Sequence, residues 1–206
     1  MSRQKDCLYK VQKKDILKAG MVLADAFQHD PFWRKVLEDA NIKQKEAFFE
    51  GSIRYGRKYG KVYATSERLE GIVVWVPSES ADMTIWRAIR SGSFWSGRRM
   101  GMRRLLRMKP IFEPLEADRR TNMKGMVYIY VIIVGVASEL QGQGLGGRLL
   151  GAVIEESEQM GIPIYLETTT ETNVRMYERL GFKLLNKITL PVVHLPQWEM
   201  VREPEA

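Results

Sequence analysis

A chain of 206 residues with 45% apolar composition can bury one substantial core, and a single domain over 1–206 is expected. No charge-free apolar window is long enough to span a membrane, and the start lacks a signal peptide's apolar core, so a cytoplasmic protein is expected. The single cysteine, Cys7, excludes an internal disulfide and has no metal-ligating cluster around it; the net charge of +7 raises the question of nucleic acid.

Residues 8–11 read as a short edge strand. Residues 15–27 form an amphipathic helix, with Asp15 as N-cap and Leu17, Met21, Ala24 and Phe27 on one face. His29-Asp30-Pro31 stops it, and a second short helix covers 32–39 with Pro31 at or near its first position. A third helix spans 43–59. Strand signals follow at 61–65 and, more strongly, at 71–77, with a hairpin turn at 67–70.

Residues 78–125 are too long for a bare connection and are expected to hold helices of their own. Trp86, Ile89, Met100, Leu105, Leu106 and Met108 supply apolar surface there. Between 87 and 109 stand eight basic residues and no acidic one. Such a stretch is a solvated helical face, a grip on an acidic acceptor or protein, or a contact with nucleic acid or a membrane surface. No RNA motif or DNA-reading helix is evident, so specific nucleic-acid binding is not expected.

Residues 127–136 are an unbroken apolar run, rich in β-branched side chains, which predicts a strand buried on both faces. After a polar break comes the turn Gln141-Gly142-Gln143-Gly144-Leu145-Gly146-Gly147, and then a helical apolar pattern from Arg148. Strand, glycine turn and helix together build an anion site. Glycine lets the backbone approach a phosphate, and the first helical N–H groups point at it with the helix dipole behind them. No Gly-Lys-Ser/Thr follows, which argues against a P-loop, and the turn lies too late in the chain for a dinucleotide fingerprint. A tight turn without a ligand is the alternative.

Gly161-Ile162-Pro163 turns the chain into a strand at 164–168, parallel to the previous one because a helix joins them. Right-handed crossover puts the end of this strand on the same sheet edge as the glycine turn. A short helix at 172–180 stops at Gly181, and Asn173 and Tyr177, four apart, share one of its faces. Residues 182–189 and 192–201 read as a closing hairpin. His29 and His194 lack metal-ligand spacing and are assigned to loops; no metal is expected.

Gln141, Gly144 and Gly146 match the pattern Gln/Arg-x-x-Gly-x-Gly/Ala, and 166–182 carries Asn173, Tyr177 and a closing Leu180-Gly181-Phe182. On these residues the chain resembles the GNAT-type N-acetyltransferase superfamily, over 127 to about 182 and more weakly before. Within it, residues 26–31, 74–79 and 166–168 look like puromycin N-acetyltransferase-like proteins; the likeness is patchy over 78–125. The resemblance implies an α/β fold with a mixed sheet of about six or seven strands flanked by helices, parallel strands 4 and 5 splayed, and 78–125 as a helical basic insertion between strands 3 and 4. It implies acetyl-CoA in the splay, with backbone groups of Val134 and Val136 on the pantetheine arm and the pyrophosphate on residues 141–147. Asn173 would hold the arm and Tyr177 would stand by the sulfur as general acid, unless they merely cap and pack.

The central strand has no carboxylate between 127 and 136, where many family members carry a base. Glu167 is the best substitute: a base acting directly or through water, an anchor for the ammonium, or a structural carboxylate. Phe32, Trp33, Trp75 and Tyr130 are candidate pocket or core residues. The activity implied is direct transfer of acetyl from acetyl-CoA to a small-molecule primary amine in a ternary complex. The rivals are an acyl-CoA-sensing module and a protein or peptide N-acetyltransferase. The acceptor, the acyl preference and the oligomeric state, a homodimer included, are left open.

Overall fold

In the computed structural model, which describes residues 8–205, seven strands form one sheet. They are β1 (Tyr9–Lys10), β2 (Lys61–Ala64), β3 (Gly71–Pro77), β4 (Ile129–Val136), β5 (Ile164–Thr168), β6 (Lys183–Thr189) and β7 (Pro196–Arg202). Their order across the sheet is β1-β2-β3-β4-β5-β7-β6. Only β4 and β5 run parallel; every other neighbouring pair is antiparallel. Helices α1 (Ile16–Ala26), α2 (Pro31–Val36) and α3 (Ile42–Tyr59) precede β2. Helices α4 (Ile85–Ser91), α5 (Ser93–Met100) and α6 (Met102–Asn122) fill the 78–125 segment, α7 (Leu145–Met160) joins β4 to β5, and α8 (Glu171–Arg179) follows β5. The mixed sheet, its parallel pair and the helical insertion are as expected. Cys7 lies outside the described residues.

Strand alternation sends side chains into two layers. Val62, Ala64, Ile72 and Val74 pack with α1 and α3, whereas Tyr63, Val73 and Trp75 pack with α7. The face expected for α1 holds at Ala24 and Phe27 and fails at Leu17 and Met21. Leu17 and Met21 are exposed; the buried stripe is Ile16, Ala19, Gly20, Leu23 and Ala24. Both stripes have helical spacing, and the one holding small residues lets α1 lie close. Gly135 of β4 meets it, since a Cβ there would stand 2.8 Å from Leu23 Cδ2. Nor does Asp15 cap α1: it accepts the Gln12 N–H at 2.8 Å and closes a preceding 3-10 turn. Asp30 does cap α2, accepting from Phe32 N–H and Trp33 N–H at 3.0 Å with Pro31 as first residue, though that helix stops at Val36.

β4 is not buried evenly. Ile129, Val131, Ile133 and Gly135 are buried, and Tyr130, Ile132, Val134 and Val136 are half-buried. Val74 faces Ile133 and Trp75 faces Val131, leaving Ile132 as an extra residue. This bulge switches the alternation, so Val131 joins the α7 side and Ile133 the α1 side. In the insertion, Met100 and Met108 are buried, but Trp86, Ile89 and Leu106 face solvent.

The turn between α3 and β2 needs glycine for close approach: a Cβ on Gly60 would stand 2.0 Å from the carbonyl oxygen of Trp75, in a central strand that cannot retreat. Gly60→Ala is therefore expected to cost about 1–3 kcal/mol, read as a lowered denaturant midpoint; an unchanged midpoint would show that β3 yields.

Candidate active site

The parallel strands pair only at Ile129↔Ile164 and Tyr130↔Tyr165. Beyond Tyr130, β4 stays with β3, while Leu166, Glu167 and Thr168 of β5 stay with β7. The bulge at Ile132 falls where the strands part, and re-aiming a strand is what a bulge does. Ala137 N–H bonds Glu70 O at 2.8 Å, so by ladder alternation Gly135 also turns its peptide groups to β3. Val134 and Val136 turn theirs the other way, into the gap.

At the open end of the gap lies the glycine turn. Gly142 and Gly144 have φ of +80° and +81°, a conformation that side-chain-bearing residues resist. The turn is tied down from behind. Asp25 accepts from Ser138 N–H at 2.7 Å and from its hydroxyl at 3.0 Å, and Gln141 Nε2 donates to Ala26 O and Val136 O at 3.0 and 3.1 Å. The Gln141 amide is thus spent on the scaffold. The first intrahelical bond of α7 runs from Arg148 N–H to Gly144 O at 3.1 Å, so the N–H groups of Leu145, Gly146 and Gly147 point beyond the helix end. A Cβ added at Gly142, Gly144 or Gly147 meets nothing within 4 Å, and at Gly146 only Val136 Cγ2 at 3.9 Å. Gln143 projects into solvent. Outward N–H groups under open space suit a diphosphate.

Tyr177 and Glu167 stand on opposite faces of the sheet, either side of the gap. Tyr177 of α8 packs against Phe182 and is 4% exposed. Burial, then the Asp30 carboxylate at the α1–α2 corner, raises its pKa. Asn173, one turn earlier, donates from Nδ2 to Thr168 Oγ1 at 3.2 Å, which leaves its Oδ1 open. On the other face, Glu167 accepts from the hydroxyls of Tyr130 and Tyr165, each at 3.0 Å. Desolvation lifts its pKa to about 7, and nearby Arg119 and the two tyrosines offset only part of that.

Two members of this network were not singled out in the sequence. Arg119 of α6 is 2% exposed, stacks 4.5 Å over the Tyr130 ring and pairs with Asp82 at 2.7 Å. Glu199 of β7 faces Glu167 across the ladder, is fully buried, and accepts from Asn122 Nδ2 at 2.6 Å. Its Oε1 meets no hydrogen-bond donor among the described residues, and burial raises its pKa as well. The register of β7 against β5 gives the pairing of Glu199 with Glu167, a signal present once the last strand is set beside β5. Arg119 lay hidden among the many arginines of the insertion. Of the four candidate pocket aromatics, Tyr130 reaches this network. Trp75 is core on the α7 side, because alternation puts it with Val131 rather than with Tyr130. Phe32 and Trp33 pack with Phe112 of α6. His29 and His194 are exposed.

The raised pKa has a consequence for stability. Unfolded, Glu167 titrates near 4.5; folded, near 7. Between these values the folded state holds the extra proton, so its stabilising contribution is complete below pH 4.5 and lost as pH rises through 7. Glu167→Gln, fixed in the neutral form, is expected to melt higher than the parent at pH 8 and close to it at pH 5. Equal differences at both pH values would contradict the raised pKa.

Residues 116–182 match the model of the Acetyltransferase (GNAT) family. An uncharacterized N-acetyltransferase of Schizosaccharomyces pombe is 28% identical over 95% of this chain and 83% of its own. Among solved structures, a Corynebacterium glutamicum protein described as a histone acetyltransferase and related acetyltransferase superposes with a TM-score of 0.66 at 19% identity, covering 97% of this chain and 96% of its own. A mutant agmatine N-acetyltransferase in its apo form gives 0.58 at 18% identity, over 95% and 98%. A chain of the NatC complex bound to Gag peptide and CoA gives 0.51 at 13%, over 96% and 98%. At these identities the solved structures speak to the fold.

Proposed function

The chain carries a GNAT-family N-acetyltransferase domain, and on that footing we propose that it moves an acetyl group from acetyl-CoA to the primary amine of a small molecule, directly, with both substrates bound. One domain over 1–206 does this, and its 78–125 insertion is part of the site because it delivers Arg119. The observation that carries the reading is Glu167, a carboxylate poised near pH 7 across the gap from a buried tyrosine. A module that only senses acyl-CoA needs neither.

The gap and turn fit acetyl-CoA: main-chain groups of Val134 and Val136 face the pantetheine arm, and the N–H groups of Leu145, Gly146 and Gly147 face the diphosphate. Asn173 holds the arm through Oδ1. Acetyl-CoA supplies the acyl thioester. Glu167 takes the proton that the incoming ammonium must lose, and a pKa near 7 suits that task at neutral pH. Tyr177, protonated throughout the neutral range, gives its hydroxyl proton to the departing thiolate.

A small acceptor is favoured over a peptide because Ile111 and Leu115 of α6 pack with Phe32 of α2 and with Leu190 and Val193 of the β6–β7 loop. We read that cluster, which ties α2, α6 and the β6–β7 loop together, as closing the flank to an extended peptide. Neighbours of both kinds exist, the agmatine enzyme and the peptide-bound complex, and the packed cluster is what supports the small acceptor for this chain.

Tyr177→Phe is expected to lower turnover by about 10²-fold or more while sparing CoA binding; full turnover would remove Tyr177 from the chemistry. The rate on an amine acceptor is expected to rise with pH and level off above about 7. Glu167→Gln should abolish that limb; an unchanged profile would leave Glu167 structural. In a panel of small amines and peptides assayed for CoA release, turnover on peptides alone would overturn the acceptor assignment.

A further inference from the structure

Helices α4, α5 and the first half of α6 pack on one another in turn, and each leaves large apolar side chains in solvent. Ile85, Trp86, Trp95 and Leu106 are 76, 65, 63 and 64% exposed, with Ile89 and Met102 exposed beside them. The buried side of α5 is used elsewhere: Ser93, Ser96 and Met100 are buried, and Ser93 Oγ donates to Gly51 O of α3 at 2.7 Å. Set among the exposed apolar side chains are Arg90, Arg98 and Arg103, none with an acidic partner among the described residues. Arg98 lies 5.9 Å over the Trp95 ring. Between 87 and 109 the chain has eight basic residues and no acidic one.

We propose that these exposed side chains together make a face that docks on an anionic lipid surface. Charge selects the partner: unpaired guanidinium groups are drawn to acidic headgroups. The large apolar side chains supply the second signal, since tryptophan, isoleucine and leucine beside arginine suit the boundary between headgroup and acyl chain. A second copy of this chain is a poor occupant, because a two-fold contact here sets arginines against arginines. A nucleic-acid backbone satisfies the arginines but offers nothing to Ile85, Ile89 and Leu106. No helix among the described residues is long and apolar enough to cross a membrane, so the association is with the surface. Helix α6 links this face to the site, with Arg103 and Leu106 at one end and Arg119, beside Glu167, at the other.

The test is co-flotation of the full chain with vesicles of phosphatidylcholine mixed with phosphatidylserine, against phosphatidylcholine alone. The wild type is expected to float with the mixed vesicles only. The triple variant Arg90→Gln, Arg98→Gln, Arg103→Gln should bind about 10²-fold more weakly, at about fivefold per arginine. The triple variant Trp86→Ser, Trp95→Ser, Leu106→Ser, with every arginine kept, should lose about tenfold or more. All six positions are exposed, so both variants should keep the parent melting temperature. Absence of wild-type flotation at low salt overturns the proposal whatever the variants do. So does undiminished binding by the Trp/Leu variant, or capture of oligoribonucleotide without capture of vesicles.

Discussion

Two parallel strands that part after two residue pairs leave backbone N–H and C=O groups along both inner edges, and those groups must find partners. In a closed sheet each would bond its neighbour; here β3 and β7 secure the outer edges, and past Tyr130 no strand among the described residues pairs the inner ones, where Gln141 Nε2 reaches only Val136 O at the open end. A buried backbone group left unpaired costs about 1–3 kcal/mol, so a fold keeps such a gap only where water or a ligand satisfies it. The Ile132 bulge steers β4 away, and Gly135 lets α1 approach the far side of the same strand. The glycine turn then closes the open end with a row of outward N–H groups.

The chemistry sits on the walls of that gap because strand alternation puts it there. Leu166 faces α7 and α8, and the next residue, Glu167, faces α6. A carboxylate so placed is half-buried and loses much of its water, and its charge is supported by Tyr130, Tyr165 and Arg119. Glu199 opposite works against it, and with two acids facing across one ladder the ionised form is costly. The balance leaves Glu167 near neutrality, neither locked as an ion nor permanently protonated. The insertion belongs to this balance: α6 supplies Arg119 to one carboxylate and Asn122 to the other.

Much of this was legible in the sequence, and the reasons are local. The β4 run, the glycine turn and the α7 pattern declare themselves because backbone conformation, glycine and apolar period are properties of neighbouring residues. The start of α2 at Pro31 and the stop at Gly181 were readable for the same reason. What escaped was set by tertiary packing. Leu17 and Met21 keep helical spacing as well as Ile16, Ala19 and Leu23 do, and only the small side chains that Gly135 demands decide between the two stripes. Trp75 was left between pocket and core because the bulge that fixes which face it shares leaves no mark in composition. Arg119 could not be told from the arginines around it until the insertion was folded.

The most direct test is calorimetric titration of CoA into the protein and into a Gly146→Leu variant. A side chain at Gly146 finds open space in the protein itself, with only Val136 Cγ2 in van der Waals reach, so the variant should fold and melt like the parent. The account predicts CoA binding by the parent and its loss in the variant, because the added side chain takes the space above the helix end. No heat of binding in the parent, or undiminished binding in a folded variant, would contradict it.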